Sequence, residues 1–171
     1  TGAARVVLGT PVGTMERVLR ETAGHLREGA LVTDVGSVKA VLADTLPGLL
    51  PEGVVFVGAH PRAGSHLRGV EHAREDLFDG SVCAVTPAVG HPAEAEKVSR
   101  FWRALGCRVV ERDPESHDAE VAWTSHVPHV LAFAFAHALG RAPAGAGELA
   151  GGGFRDFTRI AKSDAELWGD I

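Results

Sequence analysis

The sequence predicts an α/β fold, a largely parallel sheet followed by helices. Three observations carry this. Short apolar runs alternate with helix-period segments through the first 111 residues, the pattern of βαβ units. Through the third strand, at residue 58, the links between those segments are short, as such units require. After Asp113-Pro114 the strands stop and long helical stretches take over, so we place a domain boundary between residues 113 and 114.

The elements follow in order. Residues 5–9 (RVVLG) read as a short buried strand. Thr10 and Pro11 open a helix, Thr10 as N-cap and Pro11 at the first helical position. Val12, Met15, Val18, Leu19, Ala23 and Leu26 recur at helical spacing, and Gly29 ends the run. Residues 31–35 are the next strand, and Gly36-Ser37 turns the chain into a short helix carrying Val38, Val41, Leu42 and Leu46. A loop over 47–53 leads to a third strand at 54–58. Residues 59–80 are irregular and rich in charge, His and Gly. A strand at 82–86 stops at Pro87, and a helix over 92–105 places Ala95, Val98, Phe101, Trp102 and Leu105 on one side. Residues 107–111 are the last strand. A long helical stretch then runs to about Leu139, interrupted at Pro128. Residues 141–153 are a Gly/Ala linker, and 157–168 are helical. Trp102 and Trp123 fit core-facing positions, whereas Trp168 is expected at a subunit interface.

Composition narrows the function classes. With 45% hydrophobic and 23% charged residues the chain is that of a soluble globular protein. A net charge of -5 gives a nucleic-acid role no support. No apolar run reaches the length of a membrane span, about 18 residues. The first residues are not a signal peptide, so a cytoplasmic protein is expected. Cys83 and Cys107 sit in strand-like runs and read as inert buried thiols rather than a disulfide.

Several segments carry chemistry. His60 lies in Gly58-Ala59-His60-Pro61-Arg62-Ala63-Gly64, just past the end of the third strand. Ligands of parallel sheets bind at that carboxyl edge. A neutral imidazole, with an ordinary pKa of about 6.5, can accept a proton there; a surface-loop histidine gives the same pattern. Ser37, in Asp34-Val35-Gly36-Ser37-Val38-Lys39, is either a helix N-cap or a hydroxyl facing a ligand. His126 and His129 share a helical face, but no third ligand stands at metal spacing, so no metal site is expected. Arg159 follows Gly151-Gly152-Gly153 and has a fork suited to a carboxylate; a surface ion pair with Asp156 or Asp164 is the alternative. His66, His72 and His91 read as solvated. The one G-x-G-x-x-A match, residues 145–150, follows a helix rather than a strand and fails as a dinucleotide fingerprint.

Together with Ser125-His126-Val127-Pro128-His129, these segments keep their order along nearly the whole chain. In them the sequence resembles the prephenate and arogenate dehydrogenases of tyrosine biosynthesis. The resemblance implies the second half of a Rossmann-like dinucleotide-binding domain, then the start of a helical dimerisation domain. It implies NAD(P)-dependent oxidative decarboxylation of prephenate or arogenate by a homodimer. It makes His60 the catalytic base and Ser37 its hydroxyl partner. Substrate contacts fall to His129 and Arg159, with His126 supporting the pocket, and His117 matches a family histidine expected to be structural. Thr10, Pro11, Val12, Asp34, Val35 and Gly36 would line the nicotinamide side of NAD or NADP. Arg62 stands where the family has an apolar residue. A preceding strand with the glycine fingerprint is expected in a longer natural chain, and these residues alone are expected to bind NAD(P)+ weakly and to lack activity. Three other readings stay open here: a different hydroxyacid-type dehydrogenase, a non-catalytic domain that dimerises or binds an aromatic ligand, and a metal hydrolase built on the histidines.

Overall fold

The structure is a computed structural model describing residues 2–64, 69–163 and 168. The chain divides into two compact units, the first running through Asp118 and the second starting at Ala119.

The first unit is built on strands β1 (Arg5–Leu8), β2 (Leu31–Asp34), β3 (Val55–Phe56), β4 (Gly58–Pro61), β5 (Val82–Thr86) and β6 (Arg108–Glu111). β1, β2 and β3 pair in parallel, in that order. β4 pairs antiparallel to β5, and β5 pairs parallel to β6. β3 and β4 are two parts of one extended segment, interrupted only at Val57, whose N–H donates to Val32 O at 2.9 Å. That segment links the two ladders. The predicted third strand therefore continues past Gly58, and the region expected to be irregular opens with strand. His60 is a strand residue, not a loop residue. Gly58 permits the close pairing of β4 with β5, because a β-carbon there would collide with Thr86 Oγ1.

Helices α1 (Val12–Thr22), α2 (Ala40–Thr45) and α3 (Pro92–Ala104) complete this layer. Alternation along the strands sends successive side chains to opposite faces. Val32 and Phe56 join Leu8, Met15, Leu19, Leu42 and Leu46 in one core. Their neighbours Leu31 and Val57 join Val85, Val98 and Trp102 in the other. Helices thus cover both faces, as in doubly wound sheets. Some inward assignments fail at the margins. Val41 on α2 and Leu105 past α3 are exposed. Thr10 does not cap α1; Pro11 occupies the N-cap position, and its carbonyl accepts from the Thr14 hydroxyl at 2.8 Å. Cys83 and Cys107 are free and buried, and burial pushes the Cys83 thiol up to about 12.

Helix α4 (Pro114–Val121) crosses the division between the units. The second unit continues through a π-helical turn (Ala122–His126), α5 (Val127–Leu139) and α6 (Gly152–Arg159). Pro128 sits in the first turn of α5, and the helical path runs on through the wide turn before it. There the N–H of Val127 donates to Ala122 O. A π turn of this kind accommodates a proline that cannot bond back in the α pattern. Trp123 is 75% exposed, not core. α6 starts within the glycine triplet, five residues before the predicted Phe157. Phe154 and Phe157 pack edge-on against Phe135 of α5. The predicted helix beyond residue 163 falls largely on 164–167, outside the described residues, as does His66. The G-x-G-x-x-A match forms a 3₁₀ turn after Gly145, whose φ is 86°. No helix among the described residues is long and apolar enough to cross a membrane.

Candidate active site

The chemistry of the first unit converges on β2, β4 and the start of α4. Asp34 ends β2 and is fully buried. One carboxylate oxygen accepts the N–H of Gly36 at 2.7 Å, and the other accepts the N–H of Ala59 at 3.0 Å. Lys39, also buried, donates its Nζ to Asp34 and to Ala59 O, the latter at 2.9 Å. Burial lowers the Lys39 pKa, and the adjacent carboxylate opposes that shift. One carboxylate therefore holds the residue before Ser37 and the residue before His60. Asp34 shapes this turn from within; its side chain presents nothing to solvent.

His60 is 8% exposed. Its Nδ1 lies 2.9 Å from Nε2 of His117. The rings meet edge-on, with centroids 5.1 Å apart. Nδ1 of His117 is 2.7 Å from Asp118 Oδ1. The Asp118 carboxylate also caps α2, accepting the N–H of Lys39 at 2.8 Å and of Ala40 at 2.9 Å. His60, His117, Asp118 and Lys39 thus form one connected set. Asp113 fixes the start of α4 by accepting the N–H of Ser116 at 2.9 Å. Sequence reading gives Asp118 no role, since the backbone N–H groups it caps lie 78 and 79 residues away. His117 belongs with His60 rather than to the scaffold alone.

Because Asp118 caps α2, Ser37 does not. The Ser37 hydroxyl is buried with no hydrogen-bond partner among the described residues. Such an orphan calls for an external partner. Of the other residues predicted to line a cofactor, Thr10 and Pro11 are exposed in the β1–α1 turn, while Val12 and Val35 are half-buried. A β-carbon at Gly36 would stand 2.9 Å from Asp34 and 3.0 Å from Val12, so Val12, Asp34 and Gly36 are neighbours at the carboxyl ends of β1 and β2.

Burial holds the His117 pKa below its ordinary value, against the pull of Asp118. An unfolded chain therefore binds a proton that the folded chain refuses, between the folded value and about 6.5. This contribution to stability is fully present above that window and is lost as pH falls through it. In denaturant melts below neutrality, His117→Gln should lose less stability per pH unit than wild type. Equal slopes would remove His117 as a source of the dependence.

In the second unit, His129 donates Nδ1–H to Ser125 O at 2.8 Å. Its ring lies 4.3 Å from that of Trp168, and His126 meets the same indole edge-on at 5.6 Å. Trp168 thus packs within this unit. Arg159, the last residue of α6, is exposed and makes no ion pair with Asp156. Asp164, the other suggested partner, lies outside the described residues. No group of three or more His, Cys, Asp or Glu among the described residues could hold a metal ion.

A sheet with helices on both faces, with turns gathered at the carboxyl ends of its parallel strands, is the doubly wound layout that nucleotide-binding domains share. Residues 1–111 match the family model for the nucleotide-binding domain of prephenate dehydrogenase, and residues 113–171 match the model for its dimerization domain. The chain belongs to the prephenate dehydrogenase family. It is 37% identical to the prephenate dehydrogenase of Bacillus subtilis over 99% of its own length and 47% of that protein. Identity to the cyclohexadienyl dehydrogenase of Zymomonas mobilis is 34%, covering 97% of this chain and 58% of that one. Among solved structures, prephenate dehydrogenase from A. aeolicus, in complex with hydroxyphenyl propionate and NAD+, aligns with a TM-score of 0.88 at 37% identity. That alignment covers 98% of this chain and 59% of the other. Synechocystis arogenate dehydrogenase aligns at 0.79 and 33% identity, over 96% and 60% of the two chains. The chain spans about half the length of the curated relatives it matches.

Proposed function

We propose that the protein carries out NAD(P)-dependent oxidative decarboxylation of prephenate or arogenate, as a cytoplasmic homodimer. The observation that carries this reading is the buried His60. It is hydrogen-bonded to His117 and braced by the same carboxylate that holds the turn of Ser37. The residues suit the nicotinamide side of a dinucleotide: the 10–12 and 34–37 turns lie at the carboxyl ends of parallel strands, and the Ser37 hydroxyl is an orphan there. When bound, NAD(P)+ supplies the acceptor for the hydride that leaves the hydroxyl-bearing ring carbon. His60 accepts the hydroxyl proton, and Ser37 orients that hydroxyl. Loss of carbon dioxide then leaves an aromatic ring. His129 and Arg159 hold the substrate, and His126 supports His129 against Trp168. Exposed Val130 and Leu131 on α5 support a partner surface. Free, buried thiols suit a reducing compartment.

The test is turnover of prephenate and of arogenate, each with NAD+ and NADP+, by the intact protein. Reduction of nicotinamide with neither substrate would overturn the reading.

Arg159→Ala should chiefly raise KM. A hydrogen bond to a charged group is worth about 1.5–3 kcal/mol, or roughly 10- to 150-fold in binding. The carboxylate it holds is present in ground and transition states alike, so kcat should change little. Lysine should restore only part, lacking the planar fork. An unchanged KM for both substrates would take Arg159 out of the site.

A further inference from the structure

The hydrogen bonds around His60 carry a direction. A carboxylate only accepts, so in the 2.7 Å contact with Asp118 it is His117 Nδ1 that donates. Asp118 is held to that role by the two backbone N–H groups of Lys39 and Ala40 it also accepts. Burial lowers the His117 pKa and so favours the neutral ring, as do Lys39 and Arg62, while Asp118 favours the charged one. In a neutral imidazole that donates from Nδ1, Nε2 is an acceptor. The 2.9 Å contact then has His60 Nδ1–H donating to His117 Nε2.

We propose that His117, oriented by Asp118, is a positioning residue that fixes His60 in the tautomer with hydrogen on Nδ1 and the lone pair on Nε2. Which nitrogen of a histidine carries the proton is set by the bond its other nitrogen makes. Free histidine in water favours the opposite tautomer, so the chain must impose this one. The inference rests on His60 being the base. The substrate O–H bond breaks, its proton bonds to Nε2, and its electron pair stays with oxygen to form the carbonyl as hydride leaves. His60 then carries two N–H groups and a positive charge. Its bond to His117 becomes charge-assisted, and such bonds are the stronger kind. The pair therefore helps the charged product of proton transfer more than the neutral reactant, the difference that accelerates a step.

The experiment is long-range nitrogen–proton NMR on the intact protein with isotope-labelled histidine, above the histidine titration range, beside steady-state kinetics. His60 should be the Nδ1–H tautomer in wild type. His117→Phe removes the acceptor; His60 should revert to Nε2–H, and kcat should fall about 10²-fold, the low end of what a positioned base contributes, with KM little changed. His117→Gln keeps a carbonyl acceptor, so it should retain the Nδ1–H tautomer and most of the turnover. An Nε2–H tautomer in wild type, or an Nδ1–H tautomer surviving in His117→Phe, would overturn the proposal. Normal turnover in His60→Ala would instead defeat the base reading and leave the tautomer measurement standing, so the two failures are distinguishable.

Discussion

His60→Ala, or His60→Asn, should lower kcat by about 10²- to 10⁴-fold, the range contributed by a positioned general base. The expectation rests on where the side chain is. His60 is buried in a strand, its Nδ1 is held at 2.9 Å by His117, and the preceding residue is pinned through both its N–H and its carbonyl by Asp34 and Lys39. A group so constrained can meet a substrate hydroxyl without reorganising, which is the advantage of a preset geometry. KM should change little, because proton transfer belongs to the transition state and not to ground-state binding. The acidic limb of kcat/KM should vanish in both variants, since protonation of the base is what closes that limb. The bland alternative, a histidine that merely packs, predicts loss of stability with turnover per folded molecule intact. Thermal melts and kinetics on the same sample separate the two. Near-normal kcat in a fully folded variant would end the assignment.

Local signals made much of this fold legible. A continuous apolar run marked Val82–Thr86, and Met15 with Leu19 marked the inner stripe of α1, because apolar pattern and burial coincide in both. The strand carrying His60 was harder. Gly58, Ala59 and Pro61 are poor strand formers by propensity, and β4 exists because Gly58 allows close pairing with β5. Trp123 was misplaced because a π turn shifts the helical phase just where it stands. The site shows the same division. Ser37, His60 and the Asp34 turn were legible as turn and strand-end chemistry. Asp118 was not, since a helix cap supplied from nearly eighty residues away leaves no local pattern. Lys39 was equally hidden. A lysine reads as surface by default, and only the buried carboxylate at Asp34 explains its place.

Lys39→Met should destabilise the first unit by about 3–5 kcal/mol, because removing one partner of a buried ion pair strands the other charge. Both side chains are wholly buried. Asp34 would keep only the N–H groups of Gly36 and Ala59 to satisfy its charge. For a chain of this size 1 kcal/mol shifts Tm by about 2–4 °C, so the loss should be roughly 6–20 °C. Asp34→Asn should also destabilise, by leaving the ammonium uncompensated. Combining the two changes should cost less than the sum of the single changes, because the double variant buries no charge and the asparagine carbonyl still accepts one N–H. A surface pair behaves differently: it contributes under about 1 kcal/mol and weakens with salt. Buried from solvent, the Asp34–Lys39 pair should show little salt dependence. Should the melting temperature of Lys39→Met fall by no more than a surface pair allows, or the two changes prove additive, the pair would not be the brace inferred for it. The strand of His60 and the turn of Ser37 would then need another source of rigidity.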